Sequence, residues 1–363
     1  MPSKSGVSRA WNIQPSSDGK RWSAYPAGDK PSGGGNGLEP GHLYLQSLSS
    51  LWTEYQLFRS TFFAPSRTKQ DAQTMVESIP TGGGTTLSSG ASASTINSAL
   101  ASNSIVFLPA GTYNIDRMID VPADKWLIGV AGAQITLDCS TNVGSFGAAY
   151  GVRLAAGSKL VNVSIVKPAA LGIWFDGNTS FCYKVSVQQC GYPIAGFAGD
   201  RNGIAFAGGG SGNCFDVCLV SCEAINSQGS TGAPTAGSDA DGFDCGTSGG
   251  GNWQMIDCHA SGNTDDGFDC WNCTDSNGFF RCSSSINGKN PEAASQGDGN
   301  GYKLGTGTVS HYLWKPSTFD NADWAFNWNG NIGPHYIYQP NCVGDDSGVY
   351  AFGAGDSSKW VVT

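Results

Sequence analysis

The sequence predicts an all-β solenoid, a right-handed parallel β-helix, preceded by a short capping helix and an irregular N-terminal extension. Three observations predict it. A phrase of glycine followed by apolar, any residue, apolar recurs as GVRL at Gly151, GIWF at Gly172, GIAF at Gly203, GFDC at Gly242, GFDC at Gly267 and GYKL at Gly301, and AFNW at Ala325 and GVYA at Gly348 continue the series. Successive starts lie 21 to 39 residues apart, the interval of one coil with the excess length in loops. A second phrase, HYLWKPS at His311 and HYIYQPN at His335, repeats after 24 residues. From Ser104 onward, short apolar runs alternate with Gly, Asn, Asp and Ser, the punctuation of many short strands. A propeller needs a steadier blade period, and a sandwich carries no repeated phrase.

The elements follow in order. Residues 1–40 are rich in Ser, Gly and Pro and read as an irregular leader. Residues 42–63 carry apolar residues near helical spacing, a helix or arm packed on the domain. Gly82 to Gly90 is a turn-rich connector, so the expected boundary separates an extension of residues 1–90 from a β-helix of residues 91–363. Ser94 is the expected N-cap of a short helix, STINSALAS, covering the open end of the first coil. IVFLPAGTYNI then reads as strand, turn and strand, followed by WLIGV, QITLDC and VRLA.

Cysteines mark the repeat as well. Cys190, Cys222, Cys258 and Cys282 each close a similar strand, while Cys245 and Cys270 share one place in the two GFDC phrases. Residues locked to a repeat in this way behave as small apolar side chains stacked inside. Disulfides between coils are the alternative, since neighbouring strands lie within bridging range. Asn226, Asn263 and Asn287 follow the cysteine strands by four or five residues and are expected to stack in turns.

Composition narrows the function. The 52 glycines and 13% charged residues suit tight turns and argue against long surface helices, and 39% hydrophobic residues suffice for a narrow core. A net charge of −9 disfavours nucleic acid and anionic membranes as partners, and an acidic substrate needs a local cation. No run is long and apolar enough to span a bilayer. Polar, glycine-rich sequence follows Arg9, so no signal peptide is visible, although a secreted, extracellular protein is expected.

Chemistry concentrates between Ser238 and Gly305. The free slot of the phrase reads Arg153, Trp174, Ala205, Asp244, Asp269, Lys303, Asn327 and Tyr350, which stacking turns into one outward column. SDADGFDC, NTDDGFDC and GDGNGYKLG also stack Asp241, Asp266 and Asn300, with Asp265, Asp239 and Asp298 close by. Carboxylates on adjacent coils, about 4.8 Å apart, repel one another and call for a counter-charge. Calcium suits such a set with its flexible shell of oxygen ligands. Magnesium wants fewer and stricter ligands, and zinc wants His or Cys, of which no His pair is near. A calcium that merely pins coils together is the plain alternative. Lys303 beside Asp269 instead suggests removal of a proton α to a carboxylate, with lysine as base.

These motifs, DADGFDC, NTDDGFDCW and GDGNGYKLG, resemble the core of the family 9 polysaccharide lyases, the β-helical pectate lyases and their relatives. The resemblance is specific over residues 237–306 and looser from about 104 to the end. It implies calcium held by Asp241, Asp265, Asp266 and Asp269, with Lys303 as the Brønsted base for β-elimination in an acidic, uronate-containing polysaccharide. Two departures stand out. Asp244 is acidic where the family usually has a small or apolar residue, which enlarges or shifts the metal site, and Thr306 stands where a glycine is common. Trp271, Tyr302, Trp314, Trp324 and Trp328 are candidates to line sugar subsites, and Arg281 and Lys289 to bind further carboxylates.

Two rivals differ in kind. An inverting polygalacturonase-like hydrolase needs a Gly-His-Gly-type histidine, whereas His259, His311 and His335 sit in CHA, SHY and PHY. A tailspike-like β-helix that binds or depolymerises glycans would trimerise through its first hundred residues, where the lyase is expected to be a monomer.

Overall fold

In a computed structural model, the structure describes residues 11–15, 22–26, 48–62, 70–142, 149–194, 203–209, 214–229, 239–245, 249–290, 296–351 and 360–362. The chain divides into two compact units, Met1–Ala64 and Pro65–Thr363. The first holds strands Trp11–Pro15 and Trp22–Pro26, paired antiparallel with Trp11 opposite Pro26, and helix α1, Leu48–Phe62. The leader expected to be irregular thus contains a strand pair. Its alternating Trp11, Ile13 and Trp22, Ala24 were masked by Ser- and Gly-rich flanks. Helix α1 falls where helical spacing had placed one.

The second unit begins before the boundary expected at residue 90. Helix α2, Ala72–Glu77, is capped by Asp71, and the two-residue strand Thr85–Thr86 already belongs to the first sheet. Such short elements leave no periodicity to read. Helix α3, Ala93–Ser102, is capped by Ser92 rather than Ser94. Ser92 has the extended backbone of a cap and accepts from the Thr95 N–H, while the Ser94 hydroxyl lies 2.9 Å from that of Ser92. Ala93, Ile96 and Leu100 of α3 are buried in the main core, and Asn97 accepts from the Asp120 N–H and donates to the Met118 carbonyl. The helix therefore closes an open sheet edge.

Three parallel sheets follow, of eleven, nine and nine strands, and within each sheet successive members come from successive coils. Strands Lys159–Val161, Ser164–Val166 and Ile173–Asp176 make one such coil, contributing to the first, second and third sheets in turn. The corner between the first two sheets is a single residue per coil in left-handed backbone: Asn162, Lys184, Ser221, Asp257, Arg281, Lys315 and Gln339, with φ of 47–56°. A non-glycine residue there costs about 1–2 kcal/mol. The hydrogen-bond ladder nevertheless runs unbroken through the corner, as in Arg281 N–H to Trp314 C=O at 2.7 Å and Asn162 N–H to Tyr183 C=O at 2.9 Å.

Glycine opens the recurring phrase because the next coil's carbonyl sits where a Cβ would stand. A Cβ on Gly242 would meet the Gly267 oxygen at 2.6 Å, on Gly267 the Gly301 oxygen at 2.8 Å, and on Gly301 the Ala325 oxygen at 2.6 Å. Behind these three glycines Phe243, Phe268 and Tyr302 point inward, and with Phe206, Phe326 and Tyr350 they stack at centroid spacings of 4.6–5.6 Å.

Two slots of the sequence column are corrected by this register. Trp174 pairs with Ala207, not Ala205, and Asn327 pairs with Ala351, not Tyr350. Ala205 occupies the glycine place, donating to the Asp241 carbonyl, so Gly203 is not the start of a copy. Tyr350 belongs to the interior stack.

All twelve cysteines are free thiols, eleven of them buried. The asparagine ladder is present but shifted. Asn263 donates to Asn287, Asn287 to Asn321 and Asn321 to Asp345, at 2.7–2.8 Å. Ser227 stands at the place expected of Asn226, its N–H donating to Asn263, because Asn226 itself occupies a left-handed corner at φ 57°.

Candidate metal and catalytic centre

The outer face of the third sheet carries the acidic residues on strands Phe243–Asp244 and Phe268–Asp269 and the lysine on Tyr302–Lys303. Phe268 and Tyr302 face the core, so alternation along each two-residue strand turns Asp269 and Lys303 outward. Register places Asp244 opposite Asp269, and Asp269 opposite Lys303.

A second row lies just before these strands, and there each side chain holds the backbone of the following coil. Asp241 Oδ1 accepts from the Asp266 N–H at 2.9 Å, Asp266 Oδ1 from the Asn300 N–H at 2.6 Å and Asn300 Oδ1 from the Trp324 N–H at 3.3 Å. Asp265 accepts from two backbone donors, Asp239 N–H at 2.8 Å and Asp298 N–H at 2.7 Å.

Carboxylate oxygens of Asp241, Asp265 and Asp266 gather within 4.8 Å of one another, and all three residues are buried. Asp269 stands outside this group of three. Its Oδ1 accepts from the Trp271 N–H at 2.7 Å, and its Oδ2 lies 3.5 Å from Lys303 Nζ. Lys303 Nζ is closest to Asp266 Oδ2, at 2.9 Å, and Asp298 lies 3.6 Å away on the exposed side. Asp244 is buried beside Asp269 and also lies outside the group of three.

Electrostatics follow from burial. Desolvation is the largest influence on all four expected ligands and pushes each upward, Asp265 to about 7 and Asp241 and Asp269 well above the usual carboxylate range. Repulsion from neighbouring carboxylates adds to the rise. In Asp266 the rise is opposed by Lys303 and by hydrogen bonds from Asn300. Burial disfavours the charge on Lys303, but Asp266, Asp269, Asp241 and Asp265 together outweigh it and hold the ammonium well above its ordinary value. Four buried aspartates, Asp241, Asp265, Asp266 and Asp269, thus act on one lysine, and Asp244 is buried opposite Asp269.

That imbalance is what a hard divalent cation relieves. The donors are all oxygens, matching calcium rather than zinc. Asp241, Asp265 and Asp266 fit such an ion as a group, and Asp269 borders them.

Tyr302 is fully buried in the interior stack, Trp314 stacks on Tyr338 at 4.0 Å, Trp328 is buried and Trp324 is partly exposed. Trp271 alone is well exposed, at 43%. Lys289 pairs with Asp320 and Asp346, and Arg281 is a corner residue between the first and second sheets. His311 and His335 are buried and stacked at 5.4 Å, and their Nδ1 atoms accept from the N–H groups of Asn277 and His311. Sequence reasoning missed that structural role, although the repeated HY phrase had marked it. His259 contacts Ser283 on the second sheet.

Residues 77–356 match the family model described as Pel9A-like, right handed beta helix region. Among solved structures, the chain is similar to pectate lyase Pel9A, with TM-score 0.54 and 18% identity over 72% of this chain and 73% of that one. It is also similar to a rhamnogalacturonan lyase, with TM-score 0.53 and 16% identity over 71% of this chain and 78% of that one. No curated protein sequence matches it.

Proposed function

The chain belongs to the Pel9A-like, right-handed β-helix family, and from that premise we propose that it is a calcium-dependent lyase cleaving an acidic polysaccharide by β-elimination. The observation that carries this proposal is Lys303 set among four buried aspartates, with Asp266 Oδ2 at 2.9 Å and Asp269 Oδ2 at 3.5 Å. A purely structural calcium site has no use for a lysine directed at its ligands.

In the proposed mechanism, Asp241, Asp265 and Asp266 hold the ion with Asp269 completing the set. Bound there, calcium would offset the carboxylate charge and would supply Lewis acidity toward a uronate carboxylate. Backbone donors fix the acids: Asp239 and Asp298 N–H orient Asp265, and Asn300 orients Asp266. Lys303 Nζ is positioned by Asp266 and Asp269. Once those carboxylates are neutralised, the influences raising its pKa weaken while burial, which favours the neutral amine, remains. The amine then takes the proton from the carbon α to the substrate carboxylate, the C–H electron pair forms a double bond to the neighbouring β carbon, and the glycosidic oxygen on that β carbon departs, protonated by water. Substrate and calcium both point to work outside the cell, as a secreted protein.

The test is ultraviolet absorbance during incubation with polygalacturonate, rhamnogalacturonan and other uronic-acid polymers, with calcium and with a chelator. A rise that needs calcium supports elimination. New reducing ends without absorbance would replace it with hydrolysis.

A further inference from the structure

Trp271 is the sole aromatic among the large apolar side chains that the described residues leave exposed. Nothing in the core explains it, since Phe268, Cys270 and Cys273 on the same segment supply the inward contacts. Trp271 lies in the turn that directly follows strand Phe268–Asp269, two residues beyond Asp269, and its indole is exposed there.

The turn carrying the indole is rigidly held. Trp271 N–H donates to Asp269 Oδ1 at 2.7 Å, which ties the turn to an acid of the proposed site. Asn272 adopts φ 57° and its Oδ1 accepts from the Thr306 hydroxyl at 2.9 Å, which ties it to the coil of Lys303. Cys273 N–H closes the turn on the Cys270 carbonyl at 3.2 Å, and Asn277 Nδ2 reaches both sulfurs, at 3.1 and 3.5 Å. Gly305, which follows Lys303 by two residues, has no side chain to compete for the space. A Cβ there would lie 2.0 Å from the Cys270 oxygen.

The geometry points to Trp271 as a stacking platform for a sugar ring of the polymer, beside the residue whose proton Lys303 removes. This inference rests on the proposed lyase function and names the side chain that positions its substrate. An anionic polymer approaching a largely acidic face gains little from charge there. An aromatic face offers attraction to the C–H face of a sugar that is independent of charge, and a pre-ordered turn lowers the entropy lost on binding. Thr306 thereby acquires a role, as the brace that fixes the turn.

The experiment compares wild type with Trp271→Ala and Trp271→Phe on polygalacturonate in calcium. Trp271→Ala is expected to raise KM about tenfold or more with a smaller change in kcat, and Trp271→Phe to recover part of the loss. Equal KM for Trp271→Ala and wild type overturns the platform. A binding readout stands apart from turnover. Tryptophan emission of Lys303→Ala, titrated with a saturated oligogalacturonate, is expected to change saturably, and Lys303→Ala/Trp271→Phe to lose that change. If wild type cleaves no polymer, the lyase proposal fails and this titration still decides the platform. No saturable change, or the same change in both proteins, removes it. Thermal melts of each variant separate lost stacking from lost folding.

Discussion

At the scale of single residues, the site's parts carry unequal signals. Lys303 and the aspartates were legible because each is tied to a phrase whose register glycine fixes, as the carbonyl approach at Gly242, Gly267 and Gly301 explains. Trp271 was not separable from Tyr302 or Trp314, because only folding decides which ring faces solvent. Lys303→Ala is expected to lower turnover about 10²- to 10⁴-fold, the range for removing a general base, while the protein stays folded in calcium. Kinetics of elimination alongside circular dichroism would check it, and near-normal activity would falsify the base. Gly305 combines φ 77° with a blocked Cβ position. Gly305→Ala is therefore expected to destabilise by about 1–3 kcal/mol, measured by denaturant unfolding.

At the scale of elements, strands and coils were readable while corners were not. The corner residues are Asn, Lys, Ser, Asp, Arg, Lys and Gln, a mixture with no compositional mark for left-handed backbone. Left-handed backbone at the corner after the second sheet displaced Asn226 from the ladder expected of it, and an alanine in the glycine place displaced one copy of the phrase. What the corners leave to side chains is visible in Asn287. It accepts from the Asn263 backbone and side chain at 3.1 and 2.8 Å and donates to Asn321 and Ser284 at 2.8 Å each. Asn287→Ala strands these buried partners, so stability is expected to fall by about 1–3 kcal/mol. Replacement by Asp, which keeps the acceptor, is expected to retain the bonds from Asn263. An unchanged melting temperature for the alanine variant would show the ladder to be idle.

At the scale of the whole molecule, coils touch only their neighbours, so the proposed calcium, held by acids of two successive coils, would couple metal loading to stability. Asp265 has its folded pKa raised to about 7, against about 3.9 in an unfolded chain. Its stabilising contribution is complete below about 3.9 and disappears as pH rises through 7. In chelator the protein is therefore expected to melt higher at pH 5 than at pH 8. Calcium binds the deprotonated acids, so its own increment runs the other way, reaching about 2.7 kcal/mol at a hundredfold excess over Kd. Calorimetry at the two pH values decides this, and equal calcium increments would count against aspartate ligands. A last consequence lies in the doubled duty of Asp241 and Asp266, whose Oδ1 atoms each receive the N–H of the coil above. Those two amide protons are built-in gauges of the centre. A cation that locks the carboxylates in place should slow their exchange with deuterium, so occupancy becomes readable in the resting protein, before any sugar is offered to it.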